Sequence, residues 1–196
     1  MQTSGVALLI SIPTHMFRFE IDKDSELRLI EERHAAELNK LVLDNFDHIR
    51  EWSGWLKDRN RTVEMTRDWI RQNMHRFANG LGFEMAIWHR EKMAGQIGYN
   101  YFDTENRRTE IGYWLGKKFE RKGLVTRACS ALVTHAFENL NVNRVEIRCG
   151  TLNHKSRRVP ERLGFVEEGV AREAEWLHDH FIDLVVYSRL ASESKK

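Results

Sequence analysis

The spacing of apolar residues changes from helical to alternating near residue 80. Apolar side chains recur every three or four positions over residues 32–46 and 63–77, which predicts two amphipathic helices. Asn79 and Gly80 follow the second helix and are typical of a helix end. From residue 83 onward apolar and polar positions alternate, which predicts strands. Together with a short strand around Leu27 and Leu29, the predicted strands cover residues 83–88, 92–102, 108–115, 144–149, 165–176 and 181–190.

A third predicted helix, over residues 124–139, separates two of these strands. Because a helix between two strands lets them run in the same direction, it predicts one parallel crossover in an otherwise antiparallel sheet. A short fourth helix is expected at residues 155–163, where Pro160 should kink it or confine it to a single turn. The pattern therefore predicts an α/β protein with a mixed sheet of six to seven strands and about four helices. Since no linker or internal repeat interrupts the pattern, residues 1–196 form one predicted domain, in which residues 1–24 are an N-terminal extension or an edge strand.

The composition fits one globular domain and argues against some function classes. Of the 196 residues, 41% are hydrophobic, which is enough for a core. Lys and Arg number 31 against 29 Asp and Glu, and the net charge of +2 argues against a direct nucleic-acid partner. The apolar run at residues 6–12 is too short to span a membrane. Cys129 and Cys149 suggest neither a disulfide framework nor a zinc cluster, and a cytoplasmic location agrees with this.

A basic turn that contains a glycine joins the strand ending at Leu115 to the helix beginning at Leu124. Free backbone N–H groups and the positive end of the helix dipole make such a turn an anion site, and Gly123 lets a phosphate approach the backbone. The segment contains neither G-x-G-x-x-G nor G-x-x-x-x-G-K-[ST], so the dinucleotide and nucleoside triphosphate motifs are missing. Taken alone, the same residues also fit an ordinary solvated helix start.

Four segments together carry a resemblance to a known family. They are EIGYWLGKKFERKGLVT (110–126), NRVEIR (143–148), NHKS (153–156) and ERLGFVEEG (161–169). In this order the chain resembles the GNAT acetyltransferases over about residues 25–190, and within them the bacterial N-terminal acetyltransferases of ribosomal proteins. The resemblance implies a GNAT fold with a splayed central strand pair, acetyl-CoA as co-substrate and no metal. It also implies a homodimer, because members of this family often dimerise.

The resemblance assigns the coenzyme A site to particular residues. The family writes the turn as [QR]-x-x-G-x-[GA], and Glu120 departs from this pattern, so its negative charge is expected to weaken phosphate binding. The backbone of Trp114 and Leu115 is expected to bind the pantetheine arm. Asn153 and Ser156 should lie on the opposite wall. The amides expected to bind the pyrophosphate are those of Arg121, Lys122, Gly123, Leu124, Val125 and Thr126, with Val125 in place of the family's small residue.

Acetyl transfer to an amine needs a base for the amine's proton and an acid for the departing thiolate. The resemblance offers two candidates for the base, Glu168 and Glu110, and ranks Glu168 slightly higher. For each of them the alternative is an ordinary carboxylate that pairs with a nearby arginine. Many relatives take the acid from a tyrosine at the position that Pro160 occupies here. Ser156 therefore becomes the candidate acid, and the alternative is that its hydroxyl only caps a helix.

The acceptor is implied by the resemblance alone. The leading expectation is the N-terminus of a protein, such as a ribosomal protein. An α-amino group has a pKa of about 7.7–8.0 against about 10.4 for lysine, so it loses its proton more easily. The alternatives are a small amine, such as a polyamine, an amino sugar or an antibiotic, and a module that binds acyl-CoA without turnover. Trp52 and Trp55 fit a substrate groove and buried packing equally well.

Overall fold

Eight strands form one mixed sheet in the computed structural model, which describes residues 18–194. The apolar run at residues 6–12 lies outside this range. Along the sheet the strands are ordered β1-β2-β3-β4-β5-β6-β8-β7. Their bounds are β1 Arg18–Asp22, β2 Ser25–Leu29, β3 Phe83–His89, β4 Lys92–Asp103, β5 Arg108–Leu115, β6 Arg144–Gly150, β7 Val166–Leu177 and β8 His180–Leu190.

The mixed α/β sheet predicted from the sequence is confirmed. β5 and β6 are parallel and every other neighbouring pair is antiparallel. The described residues contain one strand more than the six to seven expected. This strand is β1, an edge strand whose Phe19 pairs with Leu27 of β2. Its apolar and polar positions are too few to show a period of two.

The helices follow the predicted order, with one division that the spacing did not predict. Instead of one helix over residues 32–46, a 3₁₀ turn is followed by two α-helices that meet at Asn45. The Asn45 side chain donates to the carbonyl of Leu41 at 2.8 Å and accepts from the N–H of Lys117 at 2.9 Å. Asn45 thus ends the first helix and ties it to the turn before the predicted anion site. The α-helices are α1 Ala35–Asp44, α2 Phe46–Arg50, α3 Val63–Ala78, α4 Leu124–Asn139 and α5 His154–Arg162.

The expectation that Pro160 kinks α5 or confines it to one turn is wrong in its second part, because α5 extends over nine residues with Pro160 inside. Proline has no N–H, so the carbonyl of Ser156 lacks its usual helical partner. The hydroxyl of Tyr113 on β5 donates to that carbonyl at 3.0 Å. A side chain from the sheet therefore satisfies the group that the proline leaves free.

Helices cover both faces of the central strands. In β4, every residue from Met93 to Tyr99 is buried, as expected for a strand packed on both sides. Tyr99 donates to the carbonyl of Leu132 in α4 at 2.6 Å, and Asn73 of α3 bonds to the backbone of β3. Cys129 on α4 is fully buried in the core. Among the described residues, no helix is long and apolar enough to cross a membrane.

Candidate active site

The central strands β5 and β6 part from each other halfway along their length. Their parallel pairing covers only three steps and ends where Glu110 lies opposite Glu146. β5 continues to Leu115 and β6 continues to Gly150, but beyond Glu110 no pairing joins the two strands. The backbone of β5 from Ile111 to Leu115 therefore faces a fork. An extended ligand can enter this fork and bond to the strand edge.

The basic turn lies at the open end of this fork and presents unbonded amides. In residues 121–126 no backbone N–H donates a hydrogen bond to any atom of the described chain. Gly123 has a φ of 69° and precedes the first residue of α4, a 16-residue helix. A left-handed residue turns the chain so that successive N–H groups point to one place, and the helix dipole adds positive potential there. The turn has the geometry of a diphosphate site.

A contact from the edge of the sheet holds the basic turn in place. Arg127 donates to the carbonyl of Lys122 at 2.9 Å and to the carboxylate of Asp22 at 2.8 Å. Asp22 is the last residue of β1. No local pattern predicts this link, since 105 positions separate Asp22 from Arg127.

Glu120 contacts a lysine and a histidine that sequence spacing could not reveal. Lys155 at the start of α5 lies 3.0 Å from one carboxylate oxygen, and Nε2 of His48 on α2 lies 3.1 Å from the other. Both partners line the same cleft as Glu120. A cation beside the carboxylate reduces the repulsion that Glu120 was expected to exert on a phosphate.

Ser156 lies on the opposite wall of the fork, as expected, but it does not cap α5. The cap is Asn153, whose side-chain oxygen accepts the N–H of Ser156 at 3.1 Å. The Ser156 hydroxyl is free for other contacts and lies 3.3 Å from the hydroxyl of Tyr113 and 3.3 Å from Sγ of Cys149. The Ser156 hydroxyl at the start of α5 and the Tyr113 hydroxyl from β5 thus form a pair, and both residues line the cleft.

Tyr113 is the site residue that sequence reasoning missed. Burial raises its pKa well above that of a free tyrosine, so its hydroxyl stays protonated. Relatives are expected to carry a tyrosine where this chain has Pro160, and Tyr113 brings a phenol to the same helix from β5. The sequence contained one signal for a role of Tyr113 in the site: it directly precedes Trp114, whose backbone was expected to bind the pantetheine arm.

The structure brings Glu110 into the cleft. It occupies the last paired position of β5 and has a side chain that is 17% exposed. Nδ2 of Asn100 donates to one oxygen at 2.7 Å, and Nε of Arg148 lies 3.1 Å from the other. Glu110 therefore lies where the fork opens, and it is paired with an arginine.

Glu168 lies elsewhere. It belongs to β7 and is not among the described residues that line the cleft. Arg144 donates to both of its oxygens, at 2.7 and 2.5 Å, and Ser188 donates at 2.7 Å. The hydrogen bonds from Arg144 and then Ser188 hold the pKa of Glu168 at about 2. A carboxylate held so firmly as an anion has little tendency to accept a proton at neutral pH.

The fork opens into a cleft of about 1210 Å³, large enough for an extended ligand. Trp52 and Trp55 both line it, which supports the groove interpretation over buried packing. A Cβ on Gly150 would lie 3.1 Å from the ring of Trp52, so the indole packs on the end of β6. Trp55 is 48% exposed. The described residues contain no group of three or more His, Cys, Asp or Glu side chains that could hold a metal ion.

The cleft also brings together the residues expected to bind coenzyme A. Trp114 lies beside the fork and donates from Nε1 to Gln96 at 2.6 Å, which orients its indole. The lining includes Trp114, Leu115, Arg121, Gly123, Leu124, Val125, Thr126, Asn153 and Ser156. Lys122 is exposed at the turn itself.

The separated strands β5 and β6 and the free amides of residues 121–126 agree with what a comparison with protein families finds. The model of an acetyltransferase (GNAT) domain matches residues 25–166, most of the chain. The chain belongs to the GNAT acetyltransferase family. As a GNAT enzyme it transfers acetyl groups.

Named relatives and solved structures agree with this assignment. The chain is 37% identical to the putative ribosomal N-acetyltransferase YdaF of Bacillus subtilis over 182 residues, which cover 91% of this chain and 97% of the relative. It is 28% identical to the ribosomal-protein-serine acetyltransferase of Escherichia coli over 171 residues, covering 87% and 95%. A solved structure of RimL, described as a ribosomal L7/L12 alpha-N-protein acetyltransferase in complex with coenzyme A, superposes with a TM-score of 0.84 at 28% identity, covering 88% and 97%.

Proposed function

We propose that this GNAT enzyme transfers the acetyl group of acetyl-CoA to the N-terminal α-amino group of a protein, with ribosomal proteins as the acceptor class, in the bacterial cytoplasm. The observation that carries the proposal is the fork between β5 and β6, which ends at an amide-bearing turn and opens into a wide cleft. The relatives named for ribosomal proteins support the acceptor class. An exposed tryptophan at the cleft, Trp55, offers apolar surface to a peptide.

Acetyl-CoA supplies an activated acetyl thioester, and the chain supplies a place to hold it. The free N–H groups of residues 121–126 bind the diphosphate, and the unpaired edge of β5 at Trp114 and Leu115 bonds to the pantetheine arm. Asn153 shapes the other wall by fixing the start of α5. These contacts orient the thioester across the fork near Glu110, so the reaction becomes effectively unimolecular once the amine binds.

The hydroxyl pair of Ser156 and Tyr113 is proposed to supply the proton for the departing sulfur. The two hydroxyl oxygens lie 3.3 Å apart, and Ser156 lies at the N-terminus of α5, where positive potential stabilises a developing thiolate. Of the two sequence candidates for the base, Glu110 is favoured by its place in the cleft. We assign Glu168 instead to joining β7, β8 and β6 through Ser188 and Arg144.

An acceptor panel tests the proposal. Free thiol release would be measured for a peptide with a free N-terminal serine, for the same peptide with a blocked N-terminus and an internal lysine, and for spermidine and glucosamine. The expected result is turnover with the free N-terminus and at least tenfold lower kcat/KM for the others, because the α-amine needs less free energy to lose its proton. Faster turnover of spermidine or glucosamine would favour a small-amine enzyme. Binding of acetyl-CoA without thiol release from any acceptor would favour a non-catalytic module.

A further inference from the structure

One side of α5 presents three basic residues to the basic turn. Lys155, Arg158 and Arg162 are spaced by three and four positions, so at 3.6 residues per turn their side chains share one side of the helix. Nζ of Lys155 lies 3.0 Å from the carboxylate of Glu120, the residue directly before the turn. This contact directs the shared side of α5 towards residues 121–126. All three basic residues line the cleft.

The two arginines on this side of α5 are not used by the fold. Within residues 18–194, neither the guanidinium of Arg158 nor that of Arg162 forms a hydrogen bond or an ion pair, and both residues are exposed. Their neighbour Arg157 differs, because it donates to the hydroxyl of Tyr187 and to the carbonyl of Thr151, each at 2.9 Å. Arg157 therefore fastens α5 to the sheet, and Arg158 and Arg162 are available to a ligand.

Arg158 and Arg162 lie four positions apart, so their charges repel each other. Side chains at this spacing are neighbours on the surface of a helix, and two like charges there lower its stability. An anion between the two guanidinium groups removes the repulsion. Phosphate suits this place, because its oxygens accept paired hydrogen bonds from a planar guanidinium. The pair therefore has the chemistry of a site for a phosphate monoester.

The order of sites along the cleft matches the order of groups in coenzyme A. The hydroxyl pair of Ser156 and Tyr113 lies at the fork, and the free amides of residues 121–126 lie at its open end. In coenzyme A the pantetheine arm leads to the diphosphate, and the ribose beyond the diphosphate carries a 3′-phosphate. At a rise of 1.5 Å per residue, Arg158 and Arg162 lie about 4.5 and 10.5 Å farther along the helix axis than Lys155. They extend the positive wall from the turn away from the start of α5.

We infer that Arg158 and Arg162 bind the 3′-phosphate of coenzyme A and so make the enzyme distinguish coenzyme A from dephospho-coenzyme A, which lacks this one group. The inference rests on the proposed function, which places the diphosphate of the same ligand at residues 121–126. The role of the two arginines is binding rather than catalysis. They hold the far end of the co-substrate, and the binding free energy gained there helps to fix the thioester at the fork.

The test combines two ligands with two arginine variants and is read by calorimetry. The Kd of coenzyme A and that of dephospho-coenzyme A would be measured for wild type, Arg158→Gln, Arg162→Gln and the double variant. Wild type should bind coenzyme A at least tenfold more tightly than dephospho-coenzyme A. Each single variant should weaken coenzyme A at least fourfold and leave dephospho-coenzyme A within twofold. The double variant should prefer coenzyme A by less than threefold.

The matched control is Arg172→Gln, which removes an exposed arginine of β7 that is not among the described residues lining the cleft. Both of its Kd values should stay within twofold of wild type. The same loss of coenzyme A affinity in this control would mean that net charge alone matters. Equal weakening of the two ligands by Arg158→Gln and Arg162→Gln would mean that the arginines do not contact the 3′-phosphate. Either result would overturn the inference.

A measurement on wild-type protein needs no variant. Phosphorus-31 NMR of bound coenzyme A should give a pKa of the 3′-phosphate below that in free coenzyme A, because two nearby cations favour the dianion. An unchanged pKa, or equal affinity of wild type for the two ligands, would overturn the inference. The acceptor panel reports separately. If no acceptor is acetylated while the preference for coenzyme A persists, the proposed function fails and the inference stands.

Discussion

Glu110 and Glu168 show how the neighbours of a carboxylate decide what it can do. Both lie on strands and both contact an arginine. Glu168 accepts a bidentate pair from Arg144 and a further bond from Ser188, all away from the cleft. Glu110 contacts Arg148 beside the space where β5 and β6 separate. A glutamate side chain thus connects neighbouring strands at position 168 and forms part of the cleft wall at position 110.

Replacing Glu168 with glutamine should lower stability and leave catalysis nearly unchanged. The pKa of Glu168 is depressed in the folded state, so its stabilising contribution is present above about pH 4.5 and is lost as the pH falls through 2. Because the side chain is 39% exposed, solvent screening reduces the effect, and we expect a loss of about 1 kcal/mol at pH 7. Urea unfolding measures it, and the difference from wild type should shrink between pH 5 and pH 2.5.

The control for this variant is Glu138→Gln, whose exposed carboxylate should contribute less than about 0.5 kcal/mol. A fall in kcat of more than tenfold for Glu168→Gln, with the folded state intact at the assay temperature, would contradict the assignment of Glu168 to strand joining and restore it as the base.

At the scale of elements, α5 depends on a contact from the sheet. Pro160 removes the N–H that would bond to the carbonyl of Ser156, and Tyr113 of β5 donates to that carbonyl instead. The contact ties α5 to the strand that forms one side of the fork. The bond from Tyr113 to Ser156 therefore both stabilises α5 and positions the hydroxyl pair.

A double-mutant cycle separates these two roles of Tyr113. Tyr113→Phe should lower the free energy of unfolding by about 1–2 kcal/mol, because it leaves the partly buried carbonyl of Ser156 without a partner. In the Pro160→Ala background the same change should cost less than about 0.5 kcal/mol, since residue 160 then supplies the N–H. If Tyr113 also helps to protonate the sulfur, kcat falls in both backgrounds. Equal losses of stability in the two backgrounds would contradict the proposed contact.

At the scale of the whole molecule, the site exists only where distant segments meet. Asp22 at the edge of the sheet holds Arg127 and through it the basic turn. Lys155 from α5 neutralises the charge of Glu120, and His48 from α2 contacts the same carboxylate. The cleft is therefore walled by segments from both halves of the chain, and a ligand bound across it should stabilise the entire fold.

Coenzyme A should raise the melting temperature. A ligand that binds only the folded state at 100 times its Kd stabilises it by about 2.7 kcal/mol, which for a chain of this size corresponds to roughly 5–10 °C. Differential scanning fluorimetry with coenzyme A checks this, and pantetheine, which lacks the diphosphate, is the matched control. The shift with coenzyme A should exceed that with pantetheine and should decrease as salt is added, because the diphosphate is held largely by electrostatics. Equal shifts with the two ligands would contradict the assignment of residues 121–126.

Local patterns along the chain were enough to predict most of the elements, the single parallel crossover and the position of the basic turn. The signals were periods of two and 3.6 residues, a glycine before α4, and Asn79-Gly80 after α3. Each involves only a few neighbouring residues, so it can be recognised from the sequence alone. The family motifs are also short contiguous segments, and the resemblance they carry assigned Trp114, Asn153 and the turn to one site; the structure places them along the cleft.

The pairing of residues far apart in sequence was decided by tertiary structure. Whether Glu168 or Glu110 faces the cleft depends on which way each strand lies against its neighbours, and a shift of one residue would reverse the face. The contact of Tyr113 with Ser156 spans 43 positions. These contacts have no local signature, because the free energy that selects them comes from packing the whole sheet between its helices.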